Sequence, residues 1–394
     1  MKKDISQCKF SSISGWRGDS LCCPQAFGGD IFNGCSFKCW FCFCREMEKE
    51  LFQKYYSGWT RDLVRKCDPD DYRKLFDSAF GTDKPTSNWD IKCLRYGLPF
   101  NMGSKSETFQ YANDTTVIKV LELFREYKVP VIFETKSIYA GLQRYLDIIK
   151  DLHCGIIVSI MGGSDTLNYK LEPEAPPTST RWQFVEQLNR LGIWCGVRWE
   201  PIMPGINGSK DDFEGYAKNA KRYGAKHVSL YHYRSSNYYQ ADAEFEKRGF
   251  NYTRMLEKSL DENWKPLGDS LFDFLKAAGV PASSPDFVNF PFQSDKLSCC
   301  GTDDLFKPYL FNFQYALSLI KKKGFVEWAD MEAVEFREPK SYERMKAAWN
   351  GGGGIYTLID CQDVIPVDRD GHGRNIYRST VELIPEPKKM VGLF

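Results

Sequence analysis

Long hydrophobic runs are missing from this chain of 394 residues. No stretch approaches the roughly 20 apolar residues of a membrane-spanning helix. Met1-Lys2-Lys3-Asp4-Ile5 is followed by polar residues where a secretory leader would carry its apolar segment. The expectation is a cytoplasmic protein with no membrane partner. An excess of charge of one sign is also missing. The 53 Lys and Arg against 52 Asp and Glu leave a formal charge of +1, so any contact with nucleic acid has to come from local patches. Histidine is scarce, four in all, and His227, His232 and His372 are too scattered to suggest a metal site. No internal repeat is evident.

Cysteine is abundant. Fourteen cysteines in a chain read as cytoplasmic call for metal binding by some of them, because small secreted scaffolds are where disulfide frameworks belong. The remaining composition, 42% hydrophobic and 27% charged, is that of a globular protein large enough to bury a core.

From about residue 97 to 233 short apolar runs alternate with amphipathic segments, the pattern of βα units feeding a parallel sheet. Strands are expected at 97–102, 130–135, 155–160, 193–199 and 227–232, with one more near 28–33. Helices are expected at 114–127, 138–150, 180–191 and 211–223, the last two closing near Gly192 and Gly224. This predicts an α/β fold, a partial (β/α)6 TIM-type barrel. Residues 45–96 read as a charged, helical insertion. Beyond 240 helices are expected at 252–262, 268–279, 307–323 and 340–349. The domain division expected is a barrel over 1–284 and a mainly helical C-terminal subdomain over 285–394.

Gly34-Cys35-Ser36-Phe37-Lys38-Cys39-Trp40-Phe41-Cys42 places C-x3-C-x2-C in a loop directly after the first strand. Three thiolates so spaced can each take one corner of a [4Fe–4S] cubane and leave the fourth iron open to an outside ligand. Two other readings use the same residues: a zinc site closed by Cys44, and a closed four-cysteine electron-transfer cluster.

At this motif the chain resembles the radical S-adenosylmethionine superfamily, and further segments make it similar to the spore photoproduct lyase branch. Gly28 to Gly34 leads into the cysteines as in that branch. Gly103 to Gln110, Glu134-Thr135-Lys136-Ser137, Val158-Ser159-Ile160 with Leu171-Glu172-Pro173 and Arg181, and Arg198 to Asn207 follow in order, each at a strand end. The resemblance covers roughly residues 20–235. It implies a [4Fe–4S] cluster on Cys35, Cys39 and Cys42, with S-adenosylmethionine on its open iron. It also implies an external one-electron reductant such as flavodoxin or ferredoxin, and hydrogen abstraction from a thymine-like nucleic-acid base or nucleotide. Ser106, Glu107, Lys136 and Ser159 fall where the branch contacts S-adenosylmethionine. A carboxylate such as Glu107 suits the ammonium end and Lys136 the carboxylate end. Arg198 is read either as a cation near that cofactor or as a structural ion-pair partner.

One departure narrows the expectation. The position of the branch's donor cysteine is taken by Ser104, whose O–H bond is too strong to give up a hydrogen atom, and the tyrosines beside the third cluster cysteine are replaced by Phe41 and Phe43. Base modification or isomerisation is therefore expected in place of spore photoproduct repair, with Cys44 as a substitute donor or a buried thiol. Radical chemistry on a peptide and non-catalytic metal binding are the competing readings. Cys299-Cys300 and Cys361 raise the question of a second cluster, against buried thiols of no metal role. Lys218, Lys221, Arg222 and Lys226, and the run Lys321 to Lys323, are read as solvated helix charges or phosphate contacts. The aromatics from Tyr231 to Tyr239 are read as base-stacking or as a cover for the barrel mouth.

Overall fold

The computed structural model describes residues 63–203, 205–233, 264–352 and 357–383, together with 3–4, 10, 12–16, 21, 23–25, 27–42, 44 and 56–57. Phe43, the helix expected at 252–262 and the aromatics beyond Tyr233 lie outside the described residues.

Eight strands form the main sheet: β1 (Ile13–Trp16), β2 (Phe27–Gly29), β3 (Phe100–Met102), β4 (Val131–Thr135), β5 (Cys154–Ser159), β6 (Trp194–Ile202), β7 (Val228–His232) and β8 (Ala282–Ser283). They lie side by side in chain order. Every neighbouring pair from β2 to β8 is parallel, and β1 runs antiparallel along the edge. This is the partial barrel expected, extended by two short strands that the apolar pattern did not mark.

Crossover helices return the chain between strands. Between β2 and β3, α1 (Pro69–Phe80) and α2 (Trp89–Tyr96) make the connection. Asp68 and Asn88 cap them by accepting from the backbone N–H of Asp70 in one case and of Asp90 and Ile91 in the other. Phe76 of α1 packs edge-on against Phe100 and Phe124, and Tyr72 lies tilted against the same two rings, so the segment read as an insertion carries a face of the barrel core. After β3, β4, β5 and β6 come α3 (Thr115–Glu126), α4 (Gln143–Ile149), α5 (Asp165–Leu171) with α6 (Thr178–Arg190), and α7 (Lys210–Arg222). The helix α8 (Trp264–Ala278) leads into β8.

The C-terminal region contains α9 (Phe313–Lys323), α10 (Trp328–Glu332) and α11 (Pro339–Ala348). It also contains a three-stranded antiparallel sheet of β9 (Phe325–Val326), β10 (Val364–Arg369) and β11 (Asn375–Ser379), with β11 central. One apolar core runs from Phe27 and Phe100 in the barrel to Trp328, Trp349 and Tyr377 here. The backbone N–H of Tyr309 donates to Pro24, and that of Phe313 to Leu21.

Alternation along the strands sorts the side chains into two faces. Phe133, Ile156, Val158, Val197, Trp199, Val228 and Leu230 point toward the helices. Ile132, Ile157 and Trp194 point the other way, into the barrel, where they meet Cys300, Leu305 and Phe306. Residues 298–306 therefore form the floor of the barrel. Gly301, at φ 73°, turns that segment, and a Cβ there would lie 2.0 Å from the ring of His227, so only glycine fits.

Candidate functional site

The cysteine loop leaves β2 through a short ladder in which Phe32–Asn33 pairs with Arg65–Lys66. Gly34 follows at φ 91°, and a Cβ on it would meet the Leu63 carbonyl oxygen at 2.2 Å. The loop is held from two sides. The Gln110 amide donates to Gly34 O at 3.0 Å and accepts from Ser36 N at 2.7 Å. Trp40 N donates to Leu171 O at 3.0 Å, and Glu174 N to Phe37 O at 3.4 Å. Phe41 seats with Met161, Leu171 and Met203 in a small apolar cluster at the strand ends.

Cys35, Cys39 and Cys42 lie together on this loop. Burial pushes the Cys39 thiol well above its usual range, the Lys136 ammonium pulls it down, and Glu172, Cys35 and Cys42 add to the rise. Cys44, also buried, lies just beyond. Among the described residues, no group of three or more Cys, His, Asp and Glu side chains converges on a single-ion site. A cubane asks for less convergence than zinc, since each thiolate takes its own iron. Three neighbouring thiols with a cation beside the most buried one fit the ligand set of an anionic cluster.

Lys136, immediately after β4, donates to Glu172 Oε1 at 2.5 Å, and its ammonium stands 5.0 Å from the centre of the Phe41 ring. The other Glu172 oxygen accepts from Arg181. Burial by itself would raise the Glu172 carboxyl, but Arg181 and Lys136 hold it below the usual range. Arg181, fully buried, spends its remaining donors on Pro176 O at 2.8 Å, Ser159 O at 2.7 Å and Asn168 Oδ1 at 2.6 Å. A single network thus joins the ends of β4 and β5 to the segment on which the cysteine loop rests. Glu172 and Arg181 are visible in the sequence as motif members, but their pairing is not.

Glu107 is buried. Its carboxylate accepts from Phe109 N at 2.9 Å, Thr135 Oγ1 at 2.5 Å and Lys136 N at 2.8 Å. Burial raises it, against those hydrogen bonds and the Lys136 charge. Three of about four acceptor positions are filled, and one stays for an outside donor. Ser106 donates from N and Oγ to Asp30 Oδ1, at 3.1 and 3.3 Å. Asp30, which the sequence did not mark as functional, thereby ties the β3 loop to the start of the cysteine segment. Ser159 ends β5, beside Arg198 in the ladder.

Arg198 forms a two-pronged pair with Glu134, at 2.6 and 2.9 Å, and its guanidinium carbon lies 4.8 Å from the centre of the Tyr231 ring. Asn101 Nδ2 donates to the same Glu134 at 3.1 Å. The Tyr231 hydroxyl stands 3.0 Å from Cys299 Sγ. Burial pushes that thiol up to about 12. The structure brings Arg198, Tyr231 and Cys299 together in the lumen. Cys361 is elsewhere, its thiol 3.5 Å from Thr357 O and beside Tyr377. Lys218 pairs with Glu214 on an exposed helix face and Lys323 with Asp330. No helix of the described residues is long and apolar enough to cross a membrane.

No family model matches the chain, and no curated protein does. Among solved structures it is similar to SuiB of Streptococcus suis bound to the precursor peptide SuiA, with 14% identity over 66% of this chain and a TM-score of 0.43. That match spans 48% of SuiB, about half its length. It is also similar to spore photoproduct lyase complexed with dinucleoside spore photoproduct, with 15% identity, 72% of this chain, 80% of the other and a TM-score of 0.49. A domain of pyruvate-formate lyase-activating enzyme from Bacteroides vulgatus gives 10% identity over 43% of this chain and 88% of that one, at a TM-score of 0.33.

Proposed function

We propose that this protein is a radical S-adenosylmethionine enzyme acting on a nucleic-acid base or nucleotide of thymine type, by modification or isomerisation of the base. The observation that carries the reading is the loop of Cys35, Cys39 and Cys42, clamped by Gln110 and Leu171 over the strand ends of a partial barrel. That end is where active sites of such folds collect. In this reading the three thiolates hold a [4Fe–4S] cluster. When bound, the cluster delivers an electron that splits S-adenosylmethionine and releases a 5′-deoxyadenosyl radical able to take hydrogen from a substrate.

The chain's own residues prepare that chemistry. Lys136 has one of its three N–H groups on Glu172 and offers the others to a carboxylate. The remaining acceptor position of Glu107 suits an ammonium. Ser106 and Ser159 supply hydroxyls at neighbouring strand ends, and Arg198 closes the cofactor side of the lumen. The apolar cluster around Phe41 and Met203 keeps water from the loop. An external one-electron donor of flavodoxin or ferredoxin type completes the set.

Anaerobic reconstitution of the full chain with iron and sulfide tests the proposal. Four irons per chain and 5′-deoxyadenosine on addition of dithionite and S-adenosylmethionine are expected, with label exchanged between S-adenosylmethionine and thymine-containing DNA. Zinc in place of iron, or a cluster that leaves S-adenosylmethionine intact, overturns it. Stimulation by peptides and not by DNA overturns the substrate half alone.

A further inference from the structure

The C-terminal region has an element order that the chemistry of the barrel does not call for. A helix, a strand, two helices and a hairpin follow one another as α9, β9, α10, α11, β10 and β11, and β11 lies between β9 and β10, antiparallel to both. This is the connectivity of a winged helix-turn-helix. In helix-turn-helix units the second helix of the pair is the one presented to a DNA groove. Here that helix is α11, reached from α10 through the turn from Ala333 to Glu338.

Helix and hairpin are held as one body. Trp349 Nε1, at the end of α11, donates to Asn375 O at 2.8 Å, and the Tyr377 hydroxyl donates to Trp349 O. Asn350 spans the same gap, accepting from Asn375 N at 3.0 Å and donating to Gly373 O at 3.3 Å. Phe336, in the turn, stacks on Trp89 and Tyr96 of α2, with ring centres 4.6 and 3.9 Å apart, which fixes the unit to the barrel. Ser341, Met345 and Ala348 turn one side of α11 inward. The other side presents Lys340, Glu343, Arg344 and Lys346, three cations against one carboxylate, all exposed. On β10 every side chain from Ile365 to Arg369 is exposed, so the hairpin stands off the body, with Arg369 and Arg378 outnumbering the one exposed carboxylate, Asp368. Other carboxylates are used within the unit. Glu338 caps α11, Glu332 accepts from the Tyr342 hydroxyl at 3.0 Å, and Asp370 accepts from His372 N and Arg374 N at 2.8 and 2.9 Å in the hairpin turn.

We propose that this face is a docking surface for double-stranded DNA, with α11 in the major groove and the β10–β11 hairpin along the adjoining backbone. The ten residues of α11 make a rod about 15 Å long, enough to cross a groove about 12 Å wide. Lys340, Arg344 and Lys346 meet phosphates at the edges of the groove, and Arg369 and Arg378 meet them along the hairpin. The surface is argued from the C-terminal region alone. Its consequence for the substrate rests on the radical-enzyme reading above. The base is delivered within a duplex and not as a free nucleotide, and it has to leave the stack to reach the barrel lumen.

The test is fluorescence anisotropy of a labelled duplex of about two helical turns, titrated with the full chain without cluster over a series of salt concentrations. Wild type is expected to bind, with log K falling linearly against log salt. The triple variant Lys340→Gln, Arg344→Gln, Lys346→Gln is expected to keep the wild-type thermal melt, because all three side chains are exposed. Its salt slope should be shallower by about 2.7, three phosphate contacts at about 0.9 each, and its affinity near 0.1 M salt lower by roughly 100-fold. Arg369→Gln with Arg378→Gln should give a smaller loss of the same kind. Lys218→Gln with Lys221→Gln, on the exposed face of α7, should change neither slope nor affinity. Equal loss in that α7 pair, or a triple variant with the wild-type slope, overturns the assignment of the surface. No binding of duplex, tighter binding of single strands, or displacement of duplex by poly-glutamate of equal charge overturns duplex DNA as the partner, the last in favour of an acidic protein. None of these outcomes touches the radical-enzyme reading. That reading falls if the reconstituted chain binds duplex and forms no 5′-deoxyadenosine, a result that leaves the docking surface standing.

Discussion

From the floor of the barrel to its rim, the inward side chains of β4 are Ile132 and Glu134, with Lys136 just beyond the strand's end. On β5 the order is Ile157 and Ser159, on β6 Trp194, Gly196, Arg198 and Glu200, and His227, just ahead of β7, is followed on that strand by Ser229 and Tyr231. The floor is apolar and closed by Cys300, Leu305 and Phe306, whereas one or two pleats higher every strand turns polar. The same sheet face thus changes solvent character over a few residues. The lower half is built by contact area and the upper half by paired charge. These respond to substitution differently. An apolar floor loses stability in proportion to the packing removed, while a buried ion network fails abruptly when one partner goes, because the other is left charged and unpaired.

Replacing Cys35, Cys39 and Cys42 together by alanine gives the largest effect and the sharpest contrast. All bound iron should be lost, while a thermal melt of the chain without cluster should stay close to that of wild type, since the floor is untouched. Next comes Glu172→Gln, which strands Arg181 and Lys136. A cost of about 3–5 kcal/mol in denaturant unfolding is expected, and an unchanged midpoint would mean that the rim is not held by that network. Gly301→Ala tests the floor by forcing a Cβ into the His227 ring at positive φ. A loss of about 1–3 kcal/mol is expected.

Near neutral pH the smallest effect is a pH slope. Burial lowers His227 from 6.5 to about 3, with Lys296 also lowering it and Asp304 opposing. Below pH 6.5 the unfolded chain binds a proton that the folded chain refuses. Stability is therefore complete above that pH and declines by up to about 1.4 kcal/mol per unit as pH falls toward 3. His227→Gln should flatten unfolding curves over this window. An unaltered slope would place the sensitivity in the carboxylates of the rim.

Much of the barrel was legible because local signals and tertiary packing agree. Val131–Thr135, Cys154–Ser159 and Val228–His232 are apolar runs with turn residues on either side, and Asp114 and Ser209 cap α3 and α7, the helices after β3 and β6. Ile13–Trp16 and Ala282–Ser283 are too short to show a period, and β10 exposes Ile365 and Val367, so no alternation betrays it. The site divides along the same line. The cysteine spacing is a local signal and is written in the sequence. Gln110 on Gly34, Arg181 on Glu172 and Cys299 on Tyr231 are pairings fixed only by folding, and the adjacent cysteines at 299–300 look like chance until the floor they form is seen.

The late position of that floor in the chain has a consequence for biosynthesis. Strands β4 to β7 emerge from the ribosome well before residue 298, so Ile132 and Ile157 wait without cover until the last quarter of the chain is made. Such distant contacts raise contact order and slow folding. A nascent chain stalled short of the floor segment would expose an apolar cup and be a natural client for chaperones. In the proposed reading the three cluster cysteines all precede that segment, so metal loading can come before the floor is made.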